Sequence, residues 1–132
     1  MSIKYTGNLR CEAIHSQSSS ILETDAPIDN KGKGERFSPT DLLCTSLATC
    51  ILTTMAIAAE ERNWKFEGVV ATIEKIMSQT PRRIGEVKIH FIFPNLDYDE
   101  NMKVKIQRYA HACPVSRSLS PETLQTVTFT FN

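Results

Sequence analysis

From Leu42 to Ala59 the chain carries no charged residue, and charge returns at Glu60-Glu61-Arg62-Asn63. An uncharged run this long approaches a membrane span in length. However, Thr45, Ser46, Thr49, Thr53 and Thr54 interrupt its apolarity, and a helix at the centre of a soluble domain is buried all round in the same way. The start of that helix is well marked. Ser38 can cap, Pro39 suits the first helical position, and Asp41 falls three residues after Ser38, a near match to the capping box. The pattern predicts a helix from Ser38 to about Asn63, with roughly 37 Å of rise.

Before the helix, polar and apolar positions alternate over short lengths. Ile3 to Thr24 reads as short strands, with a turn signal at Gly7-Asn8 and a second polar turn at Ser16-Gln17-Ser18-Ser19-Ser20. Asp25 to Arg36 carries Pro27, Asp29-Asn30, Gly32 and Gly34, which predict a long, mobile surface loop. After the helix, Val69 to Ile76 is β-branched and partly alternating. Gly85 to Phe93 alternates cleanly, with Val87, Ile89, Phe91 and Phe93 on one face. Met102, Ile106, Tyr109 and Ala110 stand at helical spacing and predict a second helix over about 99–112. Pro114 stops it and can open a short third helix through Leu119. Thr126-Val127-Thr128-Phe129-Thr130-Phe131 closes the chain as a half-buried strand. The order β-β-β-α-β-β-α-β places the chain in the α+β class, as one domain over residues 1–132.

Charge narrows the range of partners. Fifteen basic residues face fifteen acidic ones, for a net charge of zero. That balance leaves no electrostatic footprint for nucleic acid or an anionic membrane. The segment Met1-Ser2-Ile3-Lys4-Tyr5-Thr6 has no apolar run after a positive stretch, so it lacks the form of a signal peptide. A cytoplasmic, reducing setting follows as the expectation, with cysteines kept as thiols.

The cysteines are Cys11, Cys44, Cys50 and Cys113, and their spacings do not resemble those of a structural zinc site. No bound metal or cofactor is expected. Cys11 on an early strand and Cys44 in the first turns of the long helix read as packing residues. Cys50, near the middle of that helix, shares a face with Leu43, Ser46, Leu47, Thr53, Thr54 and Ile57. A mid-helix thiol gains little from the helix dipole, and burial among leucines would make it inert. Taken alone, Cys50 reads as a small buried hydrophobe. Cys113 precedes Pro114 at a helix junction, where unpaired N–H groups stabilise a thiolate and His111 stands nearby. Local chemistry therefore nominates Cys113 as the more acidic thiol, with a cysteine that merely fits the corner as an equal alternative.

Two stretches together resemble a known pattern. Ser38-Pro39-Thr40-Asp41-Leu42-Leu43 followed by Cys50 resembles the central-helix motif of the OsmC/Ohr family, and His111-Ala112-Cys113-Pro114-Val115-Ser116-Arg117-Ser118-Leu119 resembles its second motif. The resemblance implies an OsmC-like fold, with a long central helix packed on antiparallel sheets in an intertwined homodimer. It also implies a thiol peroxidase that needs no cofactor. Cys50 would be the peroxidatic thiolate that attacks an organic hydroperoxide, and Cys113 the resolving thiol. An external dithiol would reduce the resulting disulfide. The resemblance thus reverses the ranking that local chemistry assigns to the two thiols.

The sequence departs from the family pattern at one position. Typical members carry a glutamate two residues after the position of Ser38, where it positions an arginine against the thiolate. Here that position is Thr40, with Asp41 beside it. The candidates for supporting a thiolate are Arg36 and Glu35 close to the helix start, Thr40, Asp41, and Arg10 on the early strands. A non-catalytic OsmC-like dimer that binds a small apolar or thiol-bearing ligand is the alternative reading.

Overall fold

The computed structural model describes all residues from Met1 to Asn132, which divide into two compact units, Met1–Leu43 and Cys44–Asn132. In the first, β1 (Ser2–Gly7), β2 (Arg10–Ile14) and β3 (Ile21–Asp25) form an antiparallel meander. Gly7, Asn8 and Leu9 all take positive φ, at 94°, 51° and 59°, which reverses the chain tightly between β1 and β2. Ladder partners share a face, so Ile3, Tyr5, Cys11, Ala13, Leu22 and Thr24 line one side of this sheet. Lys4, Arg10, Glu12, Glu23 and Asp25 line the other.

The segment after β3 is not an open loop. The Asp25 N–H donates to the Phe37 carbonyl at 3.1 Å, and the Gly32 N–H donates to Pro27 at 3.0 Å around a single 3-10 turn at Ile28–Asn30. A Cβ on Gly32 would stand 1.6 Å from the Ala26 carbonyl oxygen, so only glycine lets the two backbones approach this closely. The glycines that predict mobility are here used for tight closure.

Helix α1 (Pro39–Glu60) starts where the sequence places it and ends one turn sooner. Its capping box is complete: the Ser38 N–H donates to Asp41 Oδ2 at 2.8 Å, and the Asp41 N–H donates to Ser38 Oγ at 3.1 Å. By length and composition α1 could cross a membrane. Its residues Cys44, Leu47, Ala48, Ile51, Met55 and Ala59 belong instead to the core of the second unit. They recur every three or four positions, so one stripe of the helix is buried.

That core is completed by β5 (Arg82–Phe93), α2 (Glu100–Ala110) and Cys113. Val87, Ile89, Phe91 and Phe93 are buried on β5, as their alternation predicts, and Ile84 is buried as well. β4 (Val70–Gln79) pairs antiparallel with β5. The final strand, β6 (Leu124–Phe131), runs parallel to β5, so this sheet is mixed where an antiparallel one was expected. Alternation along a strand reports its faces and carries no information about direction. The intervening α2 and α3 (Pro114–Ser118) supply the long crossover that a parallel pair requires. The pairing brings Phe93 onto Phe131 with ring centroids 4.5 Å apart, and Phe91 onto Phe129 at 5.6 Å.

Candidate active site

On α2, Ile106 and Ala110 are buried, and Cys113 continues their spacing of four and then three residues into the core. Cys113 is wholly buried and caps α3, its sulfur accepting the Ser116 N–H at 3.4 Å with Pro114 at the first helical position. Cys50 sits beside the buried stripe of α1, on a row with the exposed residues Ser46, Thr53 and Ile57, and is half-buried. Its carbonyl accepts the Thr54 hydroxyl at 2.8 Å.

Cys50 is the titratable neighbour of Cys113. Burial is the main cause that pushes the Cys113 thiol above its ordinary range, and the neighbouring Cys50 raises it further. The N–H groups of Ser116 and Val115 pull the other way with less effect. Burial thus favours the protonated form of the Cys113 thiol. This corrects the expectation that a helix terminus makes Cys113 the more acidic thiol: the terminal N–H groups are present, and desolvation outweighs them. His111 lies exposed at the end of α2, where its backbone N–H donates to Arg108 and Tyr109.

The other candidate residues form clusters within the first unit. Arg10 donates from Nε and Nη2 to the two carboxylate oxygens of Asp25, at 2.6 and 2.8 Å, and from Nη2 to Glu35 at 2.9 Å. These carboxylates hold the Arg10 guanidinium firmly protonated, and Arg10 keeps the Asp25 carboxyl below the usual carboxylate range. Arg36 donates to Glu23 at 2.8 Å. Thr40 contacts Ser38, hydroxyl to hydroxyl, at 3.0 Å, and Asp41 completes the cap. Both arginines are thus engaged by carboxylates of their own unit. Asp25, the buried acid at the centre of the first cluster, was not among the candidates. Its sequence position at the end of a strand resembles that of any turn residue.

Cys44 is buried in the core, and Cys11 lies opposite Tyr5 and Thr24 in its ladder. Packing accounts for both.

Residues 32–127 match the family described as OsmC-like protein. The chain belongs to the OsmC-like family. Among solved structures it is similar to a protein of Psychrobacter arcticus described for the osmotic stress and detoxification response. The two share 43% identity over 98% of this chain and 93% of that one, with a TM-score of 0.93. At 18% identity, the organic hydroperoxide resistance protein OsmC of Legionella pneumophila has the same fold. It covers 98% of this chain and 95% of its own, with a TM-score of 0.73. A Vibrio cholerae protein of the organic hydroperoxide resistance type, with captopril bound in one of its active sites, aligns at 17% identity. That alignment covers 97% and 89% of the two chains, with a TM-score of 0.71. A search of curated proteins finds no match. The fold is thus the α+β arrangement of OsmC-like proteins.

Proposed function

We propose that this OsmC-like protein is a thiol peroxidase that reduces organic hydroperoxides through Cys50 and Cys113. The observation that carries the reading is a half-buried Cys50 with a wholly buried Cys113 as its neighbour. The Cys50 thiolate attacks the terminal oxygen of the hydroperoxide, the O–O bond breaks, and the alkoxide leaves as an alcohol after taking a proton. Cys50 is then a sulfenic acid. The Cys113 sulfur attacks it, the S–O bond breaks, and the oxygen leaves as water while a disulfide forms. An external dithiol returns both cysteines to thiols by exchange. A cytoplasmic setting, which supplies such reductants, suits this cycle.

The family match runs from residue 32 in the first unit to residue 127 in the second, and the similarity to the Psychrobacter arcticus structure covers 98% of the chain, which supports reading residues 1–132 as one OsmC-like domain. A homodimer is part of the proposal. Ile3, Tyr5 and Leu22 share one face of the first sheet and are 74%, 62% and 42% exposed, a surface that a second copy of the chain would cover. Sedimentation analysis of the purified protein tests it, with a monomer as the contrary result.

The test of the chemistry is intact mass and thiol count after one equivalent of an organic hydroperoxide is added to reduced protein. Wild type should lose two thiols rapidly, Cys113→Ser should stop at a sulfenic acid, and Cys50→Ser should not react fast. A wild type that keeps its thiols removes the peroxidase reading. The second reading, a dimer that binds a small apolar or thiol-bearing ligand without turnover, is favoured by one feature. Thr40 stands at the glutamate position, and Arg10 and Arg36 are occupied by Asp25, Glu35 and Glu23. That reading predicts binding that survives Cys50→Ser.

A further inference from the structure

β6 presents Gln125, Val127, Phe129 and Phe131 to one face of its sheet, the face that β5 fills with Val87, Ile89, Phe91 and Phe93. Gln125 is the polar residue in this apolar series. Both ends of its amide are used, and by one partner. The Ser116 hydroxyl donates to Gln125 Oε1 at 2.6 Å, and Gln125 Nε2 donates to the Ser116 carbonyl at 3.1 Å. The carbonyl can only accept, so the orientation of the amide follows from the chemistry of its partners. Ser116 is also the residue whose N–H donates to Cys113 Sγ.

We propose that Gln125 is a positioning residue for Cys113. By holding Ser116 at its hydroxyl and its carbonyl, Gln125 keeps the Ser116 N–H on the Cys113 sulfur and tunes how readily that sulfur closes the disulfide with Cys50. The role in disulfide closure rests on the peroxidase reading above, whereas the effect on the thiol does not.

The physical reason lies in the resolving step. Cys113 must give up its proton to attack the Cys50 sulfenic acid, and burial together with Cys50 opposes that loss. The N–H groups of Ser116 and Val115 favour the thiolate. Cys50 from α1 is the titratable group that acts on Cys113. The Ser116 N–H sits on a helix of five residues, too short to hold its own geometry, so the clamp from β6 supplies the rigidity. An apolar residue at position 125 could not hold Ser116.

The test uses Gln125→Met, which keeps the shape and removes both hydrogen bonds, and Ser116→Ala, which removes only the hydroxyl bond. In a Cys50→Ser background, Cys113 is titrated by ultraviolet thiolate absorbance as the difference from Cys50→Ser/Cys113→Ser. Gln125→Met should shift the Cys113 midpoint upward, and Ser116→Ala should shift it less, in the same direction. With Cys50 present, disulfide closure after one equivalent of cumene hydroperoxide should slow by about three- to tenfold, the usual weight of a hydrogen bond. Formation of the sulfenic acid should keep its rate. An unchanged Cys113 midpoint in the folded variants overturns the inference. If Gln125→Met does not fold, the midpoint of Ser116→Ala decides. If wild type ignores the hydroperoxide, the peroxidase reading falls and the titration still judges Gln125.

Discussion

Asp25 faces Arg10 across the β2–β3 ladder and holds two nitrogens of its guanidinium, at 2.6 and 2.8 Å. Cross-strand neighbours on one face of a sheet can reach each other without reordering the backbone. Asp25 is buried, and it also accepts the Glu35 N–H at 3.1 Å. One carboxylate therefore ties together β2, β3 and the segment that leads into α1.

This pair predicts a pH dependence of stability. The Asp25 carboxyl is held below its ordinary value in the folded chain, mainly by the hydrogen bonds from Arg10. Its contribution is complete above the unfolded carboxylate value, about 3.9, and is lost as pH falls through the lower folded value. Asp25→Asn should therefore flatten the acid limb of a plot of urea midpoint against pH. It should also lower stability at neutral pH more than Glu23→Gln, which removes only the exposed pair with Arg36. Equal acid limbs in wild type and Asp25→Asn would refute the assignment.

Cys50 and Cys113 should differ in reactivity before any oxidant is present. Cys113 is wholly buried, which pushes its thiol above the ordinary range, whereas Cys50 is half-buried. Brief alkylation with iodoacetamide near neutral pH, read by peptide mass, should label Cys50 first. Cys113 should follow only as the pH rises above the ordinary thiol range or the fold opens. Earlier labelling of Cys113 would contradict the arrangement.

Gly32 predicts a localised defect. In Gly32→Ala the new methyl group meets the Ala26 backbone, so the closed segment between β3 and α1 must open. The expected result is a lower Tm together with new proteolytic cleavage between Pro27 and Arg36. An unchanged Tm and cleavage pattern would show that the backbone relaxes freely there.

In the second unit, Phe93 is wholly buried and contacts Phe66, Tyr98, Phe129 and Phe131. Phe93→Ala should cost about 3–5 kcal/mol in urea unfolding, the range for deleting a buried ring. A cost below about 1 kcal/mol would mean that its neighbours collapse into the space.

Local patterns made much of this fold legible. Ser38, Pro39 and Asp41 mark the start of α1 because capping is short-range chemistry, and the alternation from Val87 to Phe93 marks the buried face of β5. The direction of β6 was not legible, because its alternation is the same for either pairing. At the site, the pairing of Cys50 with Cys113 is an expectation that the family pattern alone supplies. That burial raises the Cys113 thiol rather than lowering it depends on desolvation, a property of the folded core that residue spacing does not encode. Asp25 and Gln125 were missed for the same reason. Asp25 matters through its ladder partner, and Gln125 through a serine on another element.

The parallel pairing of β5 with β6 also sets an order on synthesis. β4 and β5 are consecutive and can zip together as a hairpin while the chain is still emerging. β5 finds its other neighbour only after the crossover, with His90 and Thr128 separated by 38 positions. A ribosome adding about 5–20 residues per second leaves the inner aromatic face of β5 uncovered on that flank for seconds. In that interval the nascent chain presents an open strand edge beside Phe91 and Phe93, the stage at which a chaperone has the most to protect.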